Sequence, residues 1–293
     1  MSNSTRFYFL GYFMCRWIAY SGQPIFIEQL ITLPEHSLVE QSLHTEMNFN
    51  SDGNLMNTNG DGFGIGWYSE RSEPGLYKDE TPAWSNNNLR ELCRQIRSRI
   101  FFAHVRATTT GAVQRSNCHP FKYKNWLFQH NGDVSEFHKV RRDLQMDIAP
   151  ELYPELKGTT DSETCFLLAL TYGLQTNPKE ALRRMVDRVQ RAMVENDVDD
   201  GGLNLSCAMS DGQKIYTLRY AHKAKSKTQY YSSVSGWITD LDESAESMSC
   251  SAENSVIVVS EPLDDYDNKW TEIPDNSFAT IYDSTVTIEQ FKE

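Results

Sequence analysis

Apolar and polar positions alternate in short blocks along most of the chain, and the blocks change period twice. Residues 16–20 are apolar and aromatic and are stopped by Ser21-Gly22-Gln23-Pro24, which predicts a short buried strand and a turn, followed by one or two helical turns within 24–31. Residues 63–68 read as a strand whose glycines, Gly64 and Gly66, leave room for close backbone approach. A helix is predicted over 88–99, with Leu89, Leu92, Cys93 and Ile96 at helical spacing and Asn88 as N-cap. Strands follow at 100–105 and 126–129, then a helix within 134–146.

The middle of the chain is helical. Thr160-Asp161-Ser162-Glu163 has the form of a capping box and opens an apolar helix over 164–174. Asn177-Pro178 opens a second helix, with proline in the first turn. That helix should bury Leu182, Met185, Val186 and Val189 and show Arg184, Arg188 and Arg191 to solvent. Beyond Gly201-Gly202 the period returns to strands, at 203–209, 215–220, 229–233, 256–260 and 278–282. The stretches 48–62, rich in Asn, Asp and Gly, and 240–255, rich in Ser, Glu and Asp, read as loops. Strands, helices and strands again, without a repeat or a long linker, predict an α+β fold with antiparallel sheets.

Composition narrows the function classes. The chain has 293 residues, enough for a large core, and a formal net charge of −12. Such a surface repels phosphate backbones and anionic lipid, so no nucleic-acid or membrane-surface partner is expected. No apolar run is long enough to cross a bilayer. Six cysteines without a CxxC pair predict reduced thiols and a cytoplasmic location. Residues 1–14 lack an h-region and a signal cleavage site, and read as an extension placed before a domain of residues 15–293.

Four clusters concentrate reactive side chains beside apolar strands. They are Met14-Cys15-Arg16-Trp17; His104 to Gly111, with Arg106; Asn117-Cys118-His119-Pro120 leading to His130-Asn131-Gly132; and Thr160-Asp161-Ser162-Glu163. Each has a plain reading when taken alone. Cys15 can be a small buried hydrophobe, Arg106 an ion-pair partner, Asn131-Gly132 a hairpin turn, and Asp161 a helix-dipole residue. The His and Cys spacings fit no zinc signature. The segment 57–68 lacks both the leading Asp and the terminal Glu of a calcium loop, and neither a Walker A loop nor a G-x-S-x-G elbow occurs.

Together the clusters make an amide-cleaving site. Cys15 supplies a thiol, and its α-amine, if exposed as a chain terminus, has a reference pKa of about 7.7–8.0 and serves as base. Asn131 and Gly132 can donate to an oxyanion, Arg106 can clamp a carboxylate in bidentate fashion, and Asp161 can hold an ammonium. No cofactor or metal is required by this chemistry.

In order and identity these motifs, with Gly60-Asp61-Gly62-Phe63-Gly64 and Ser260-Glu261-Pro262-Leu263, resemble those of the class II glutamine amidotransferases, a branch of the N-terminal-nucleophile hydrolases. The resemblance implies a four-layer αββα sandwich, two antiparallel sheets flanked by helices. It makes Cys15 the nucleophile, Asn131 and Gly132 the oxyanion hole, Arg106 with Thr109 the site for the substrate α-carboxylate, and Asp161 the site for its amino group. His104 and His119 resemble scaffold residues. The stretches around Pro34, Asn59, Pro82 and Phe137 are most similar to the Dug-type subunit, which acts in γ-glutamyl-bond cleavage with a metallopeptidase-like partner. The stand-alone hydrolase of ergothioneine biosynthesis is also similar. A γ-glutamyl compound of glutathione type is therefore the expected substrate. A glutaminase subunit that feeds a separate synthetase, and a non-catalytic γ-glutamyl-binding scaffold, are the alternatives. Family members carry Cys directly after the initiator Met, whereas thirteen residues precede Met14 here. Either Met14 is the true start, or residues 1–14 are a propeptide, or they stay and block the amine.

Overall fold

The strand expected over 16–20 is longer than its turn signal allows. In the computed structural model, which describes residues 15–43, 58–108, 112–198, 200–233, 254–264 and 269–293, strand β1 spans Arg16–Phe26. Its pairing with β4 (Arg97–Val105) slips between Ser21 and Ile25, so the Gly-Gln-Pro segment is absorbed as a bulge. Within a bulge Pro24 need not donate to the ladder. The expected loops lie outside the described residues over 48–57 and 240–253.

The remaining strands are β2 (Phe63–Tyr68), β3 (Gly75–Asp79), β5 (Phe121–Tyr123), β6 (Trp126–Val134), β7 (Leu203–Ser210) and β8 (Ile215–His222). They continue with β9 (Tyr230–Ser233), β10 (Val256–Val259), β11 (Thr271–Glu272), β12 (Ser277–Tyr282) and β13 (Thr285–Gln290). They form a seven-stranded sheet, β11-β9-β10-β1-β4-β2-β3, and a six-stranded sheet, β13-β12-β8-β7-β6-β5. The pairings are antiparallel throughout the described ladders. The helices are α1 (Glu28–Ile31), α2 (Leu38–Leu43), α3 (Asn87–Gln95), α4 (Phe137–Met146), α5 (Asp161–Thr171) and α6 (Pro178–Glu195).

Side-chain alternation along the central strands produces the layers. On β1, Ile18 and Tyr20 pack with Leu30, Leu38 and Leu89 of α1, α2 and α3, whereas Trp17 and Ala19 face the other sheet. On β6, Trp126 and Phe128 pack with Phe166 and Leu170 of α5, and Leu127 joins the layer between the sheets. Three apolar layers therefore separate helices, sheet, sheet and helices, the αββα order, as successive side chains of a strand take opposite faces. The glycines of β2 act as read. A Cβ on Gly64 would strike the carbonyl of His119, and one on Gly66 would press on Leu127 and Pro120.

Several local expectations shift. The N-cap of α3 is Asn86, whose side chain accepts from Leu89 N at 2.8 Å, rather than Asn88. Thr160 caps α5 by accepting from Glu163 N at 3.2 Å. Glu163 does not return the bond, and instead accepts from the main-chain amides of Lys157 and Gly158 at 3.1 and 2.7 Å. Arg188 is buried rather than solvated, because Asp143 of α4 and Asp147 just beyond it form ion pairs with its guanidinium. Asn131-Gly132 is no turn; both lie inside β6, paired with Ser206 and Leu205 of β7.

Candidate active site

Cys15 stands at the head of β1, in the middle of the seven-stranded sheet. Its strand is pinned there from the β10 side. Ser260 N donates to Trp17 O at 3.1 Å, Trp17 N donates to Ser260 Oγ at 3.0 Å, and Arg16 pairs with Glu261. From the β4 side, the pairing of Arg16 with Val105 brings Cys15 beside Arg106 and Ala107. The Cys15 thiol donates to Ala107 O at 3.5 Å.

Arg106 is buried where the chain leaves β4, and the loop after it is built around its side chain. The guanidinium donates to Thr108 Oγ1 at 2.9 Å and Ala112 O at 3.3 Å. Asp61 closes the loop from outside: its carboxylate accepts from Thr108 N at 2.8 Å, and its own amide donates to Arg106 O at 3.1 Å. Thr109 lies outside the described residues.

The second sheet contributes Asn131. Leu127, Gln129 and Asn131 are alternate residues on β6 and face the first sheet. Leu127 is apolar packing, Gln129 Nε2 donates to Ile18 O at 2.9 Å, and Asn131 Nδ2 donates to Cys15 O at 2.8 Å. Gly132 has no room for a side chain, since a Cβ would collide with the carbonyl of Asn204 on β7. Asp161, the first residue of α5, accepts from Val134 N at 2.9 Å and from Ser162 N at 2.7 Å. It thereby fixes the helix start to the end of β6, three residues beyond Asn131. The structure thus brings Cys15, Arg106 and Asn131 into one constellation and attaches Asp161 to it through β6.

Three cations act on the sulfur. Cys15 keeps partial exposure as a residue, but its thiol is enclosed, and burial pushes its pKa up from the ordinary value. A backbone contact at Ala107 and the charges of Arg106, Lys227 and Arg16 pull it back. Burial prevails, so at neutral pH the sulfur holds its proton.

Sequence reasoning missed Lys227 and Asp133. Lys227, between β8 and β9, is 7% exposed; burial pushes its pKa down, against the opposing pull of Asp133 and Cys15. Asp133 lies two residues beyond Asn131 on the same face of β6. Its pKa is raised by burial and then by Asp161, with Lys227 opposing. The lysine gave no signal because it sits in a polar connection with Lys223 and Lys225. Asp133 adjoins a motif but carried no role of its own.

Two stacked histidines, His104 and His119, form a neutral wall. His104 Nε2 donates to His130 O at 3.2 Å, and the His104 ring stacks on His119 at 4.2 Å. Burial drives His104 down to about 3 and His119 well below its ordinary value. His130 Nδ1 meets Ser162 Oγ at 2.9 Å. Among the described residues no group of three or more His, Cys, Asp or Glu side chains could hold a metal ion, and no helix is long and apolar enough to cross a membrane.

Comparison with known proteins places the chain in a family. The family described as "Glutamine amidotransferases class-II" matches residues 28–291, a span that begins after the cysteine. The probable glutamine amidotransferase DUG3 of Saccharomyces cerevisiae is 33% identical, over 94% of this chain and 84% of its own length. The gamma-glutamyl-hercynylcysteine sulfoxide hydrolase of Mycolicibacterium smegmatis is 24% identical, over 94% of this chain and 99% of its own. A class-II glutamine amidotransferase domain protein of Silicibacter pomeroyi superposes with a TM-score of 0.69 at 33% identity, over 95% of this chain and 100% of its own. The fold recurs in the glutamine phosphoribosylpyrophosphate amidotransferase of B. subtilis, with a TM-score of 0.59 at 14% identity over 95% of this chain and 49% of that one. The chain belongs to the class-II glutamine amidotransferases, enzymes that hydrolyse an amide bond.

Proposed function

We propose that the protein hydrolyses the γ-amide bond of a γ-glutamyl compound, of glutathione type, through a γ-glutamyl thioester on Cys15. The observation that carries this reading is the position of Cys15, whose thiol donates to the loop after Arg106 on one sheet and whose main-chain oxygen accepts from Asn131 on the other. The γ-glutamyl substrate named for the mycobacterial relative supports the same choice.

In the proposed reaction Arg106 takes the substrate α-carboxylate and Asp161 its α-ammonium, an arrangement that only an amino-acid head satisfies. The α-amine of Cys15 removes the thiol proton, and sulfur adds to the γ-carbonyl carbon. Asn131 Nδ2 and Gly132 N stabilise the oxyanion, which requires the Asn131 amide to turn from Cys15 O to the substrate. The C–N bond then breaks, and the leaving amine takes the proton held by the α-ammonium. Water, deprotonated by the same amine, adds to the thioester and releases glutamate, and the thiolate regains its proton. The amine exists only when Cys15 is the first residue, so this mechanism requires an active chain that begins at Cys15, from a start at Met14 or after removal of residues 1–14. The site is cytoplasmic in this reading, and a metallopeptidase-like subunit is the proposed partner.

Release of glutamate from glutathione by the purified protein, alone or with a metallopeptidase partner, is the direct assay, read beside a panel of γ-glutamyl compounds. Glutamine-dependent ammonia release without turnover of γ-glutamyl peptides would instead identify a glutaminase subunit. Full activity in Cys15→Ala, or an intact mass that retains residues 1–14 in fully active enzyme, overturns the mechanism.

A further inference from the structure

We propose that Asn117 is a positioning residue that sets the spacing between Arg106 and Asp161, the two ends of the amino-acid clamp. This deepens the reading above and rests on those two residues holding the substrate's carboxylate and ammonium.

The two ends of the clamp belong to different layers. Arg106 follows β4 of one sheet, whereas Asp161 opens α5, which packs on the other. A substrate that bridges them binds well only if they are held at a fixed separation. Asn117 is fully buried in the short turn Arg115–Asn117 and is bonded to the segments that carry both. On one side its Nδ2 donates to Ala112 O at 3.0 Å, the carbonyl that also accepts from the Arg106 guanidinium at 3.3 Å. On the other side Nδ2 donates to Thr159 Oγ1 at 3.0 Å, and Oδ1 accepts from Thr159 N at 2.8 Å. Thr159 leads directly into Thr160, the N-cap of α5, and then into Asp161. One side-chain amide therefore ties the Arg106 loop to the start of α5.

The link needs a primary amide. Thr159 N can only donate and Ala112 O can only accept, so the partners fix which end of the amide meets each of them. Both hydrogens of Nδ2 and the carbonyl oxygen are engaged. An aspartate of the same shape would bring an oxygen against Ala112 O and lose that bond. The link also has little slack. The carboxylate of Glu163 accepts from the amides of Lys157 and Gly158 and holds that segment against α5. A Cβ on Gly158 would lie 2.5 Å from Asn117 Oδ1, so even one methyl group there must displace the amide.

The test is the rate of Cys15 labelling by 6-diazo-5-oxonorleucine, an electrophilic glutamine analogue with both charges, and by its des-amino form. Each rate is followed against probe concentration, read on the Cys15 peptide by mass spectrometry, beside a thermal melt. The parent should reach half-saturation at a lower concentration of the amino-bearing probe, because that probe alone fills both ends of the clamp. Asn117→Asp should shrink this preference by about tenfold, the worth of one charge-assisted hydrogen bond put out of line. Gly158→Ala should shrink it in the same direction, and decides alone where Asn117→Asp does not fold. General damage to the site would instead weaken both probes by the same factor. The proposal is overturned by such equal weakening, or by an Asn117→Asp variant that keeps the parent's preference. A parent that is not labelled, or that shows no preference between the probes, sinks the clamp reading above and this inference with it. A parent with the preference and an Asn117→Asp variant that retains it sinks only this inference.

Discussion

The side-chain amide of Asn131, on β6 of one sheet, donates to the main-chain oxygen of Cys15, at the head of β1 in the other, across 2.8 Å. The bond is the polar end of a row that begins as packing. Leu127 joins the apolar layer between the sheets, Gln129 reaches Ile18 O, and Asn131 reaches Cys15 O. Sheet stacking and the geometry of the candidate site are therefore one construction, and the depth of a residue along β6 decides which of the two it serves.

Asn131→Ala removes a side chain with both duties. The structural bond is worth about 1 kcal/mol, so the melting temperature should fall only slightly. The proposed oxyanion donor is worth far more, and kcat should drop by about 10²–10³. Steady-state kinetics beside a thermal melt separate the two. A variant that melts like the parent and keeps its kcat would remove Asn131 from the proposed mechanism.

Legibility in the sequence followed the range of each interaction. The strand 63–68 and the cap at Thr160 were readable because alternation and capping act within a few residues, and both stand as read. Asn86 and Asn88 are chemically identical cap candidates in one Asn triplet, and only the chain path into α3 selects the first. Arg188 looked solvated because its carboxylates, Asp143 and Asp147, come from a different helix. β13 was missed because its residues are mostly exposed and carry no buried period. The site motifs were readable as a set, whereas the connection at Lys227 is held by its main-chain amide to Asn204 and by Thr228 to Ser260, and neither contact leaves a local pattern.

Arg106→Lys keeps the charge and loses the fork. The guanidinium already spends donors on Thr108 Oγ1 and Ala112 O, so it needs its remaining donors in a fixed plane to meet a carboxylate. An ammonium cannot hold the loop and the substrate together. KM should rise by about tenfold or more, with a smaller change in kcat. An unchanged KM for the γ-glutamyl substrate would show that the carboxylate is bound elsewhere.

Arg188 and Arg183 lie one and a half turns apart on α6, and both form ion pairs. Arg188 is 9% exposed and links α6 to Asp143 and Asp147. Arg188→Met should cost about 1–3 kcal/mol, below the range for a fully buried pair because both carboxylates are partly exposed. Arg183 pairs with Glu180 and Asp187 on its own exposed helix face, and Arg183→Ala should leave stability unchanged. Urea midpoints measure both; equal shifts would contradict the role given to burial.

His104 and His119 predict how the protein responds to acid. In the unfolded chain each binds a proton near pH 6.5. Folded His104 does so only at about 3, and His119 also well below its ordinary value, because burial disfavours the imidazolium. Between these limits the unfolded state binds more protons, so it gains on the folded state as pH falls. The contribution is complete above pH 6.5 and decreases below it, by about 1.4 kcal/mol per pH unit for each histidine. His119→Phe keeps an aromatic ring against His104 and removes one titrating group. Between pH 6 and 4.5 its stability should fall less steeply than that of the parent, by about one proton's worth of slope. Denaturant unfolding across that range gives the two slopes directly, and parallel lines would mean that His119 titrates normally in the folded protein.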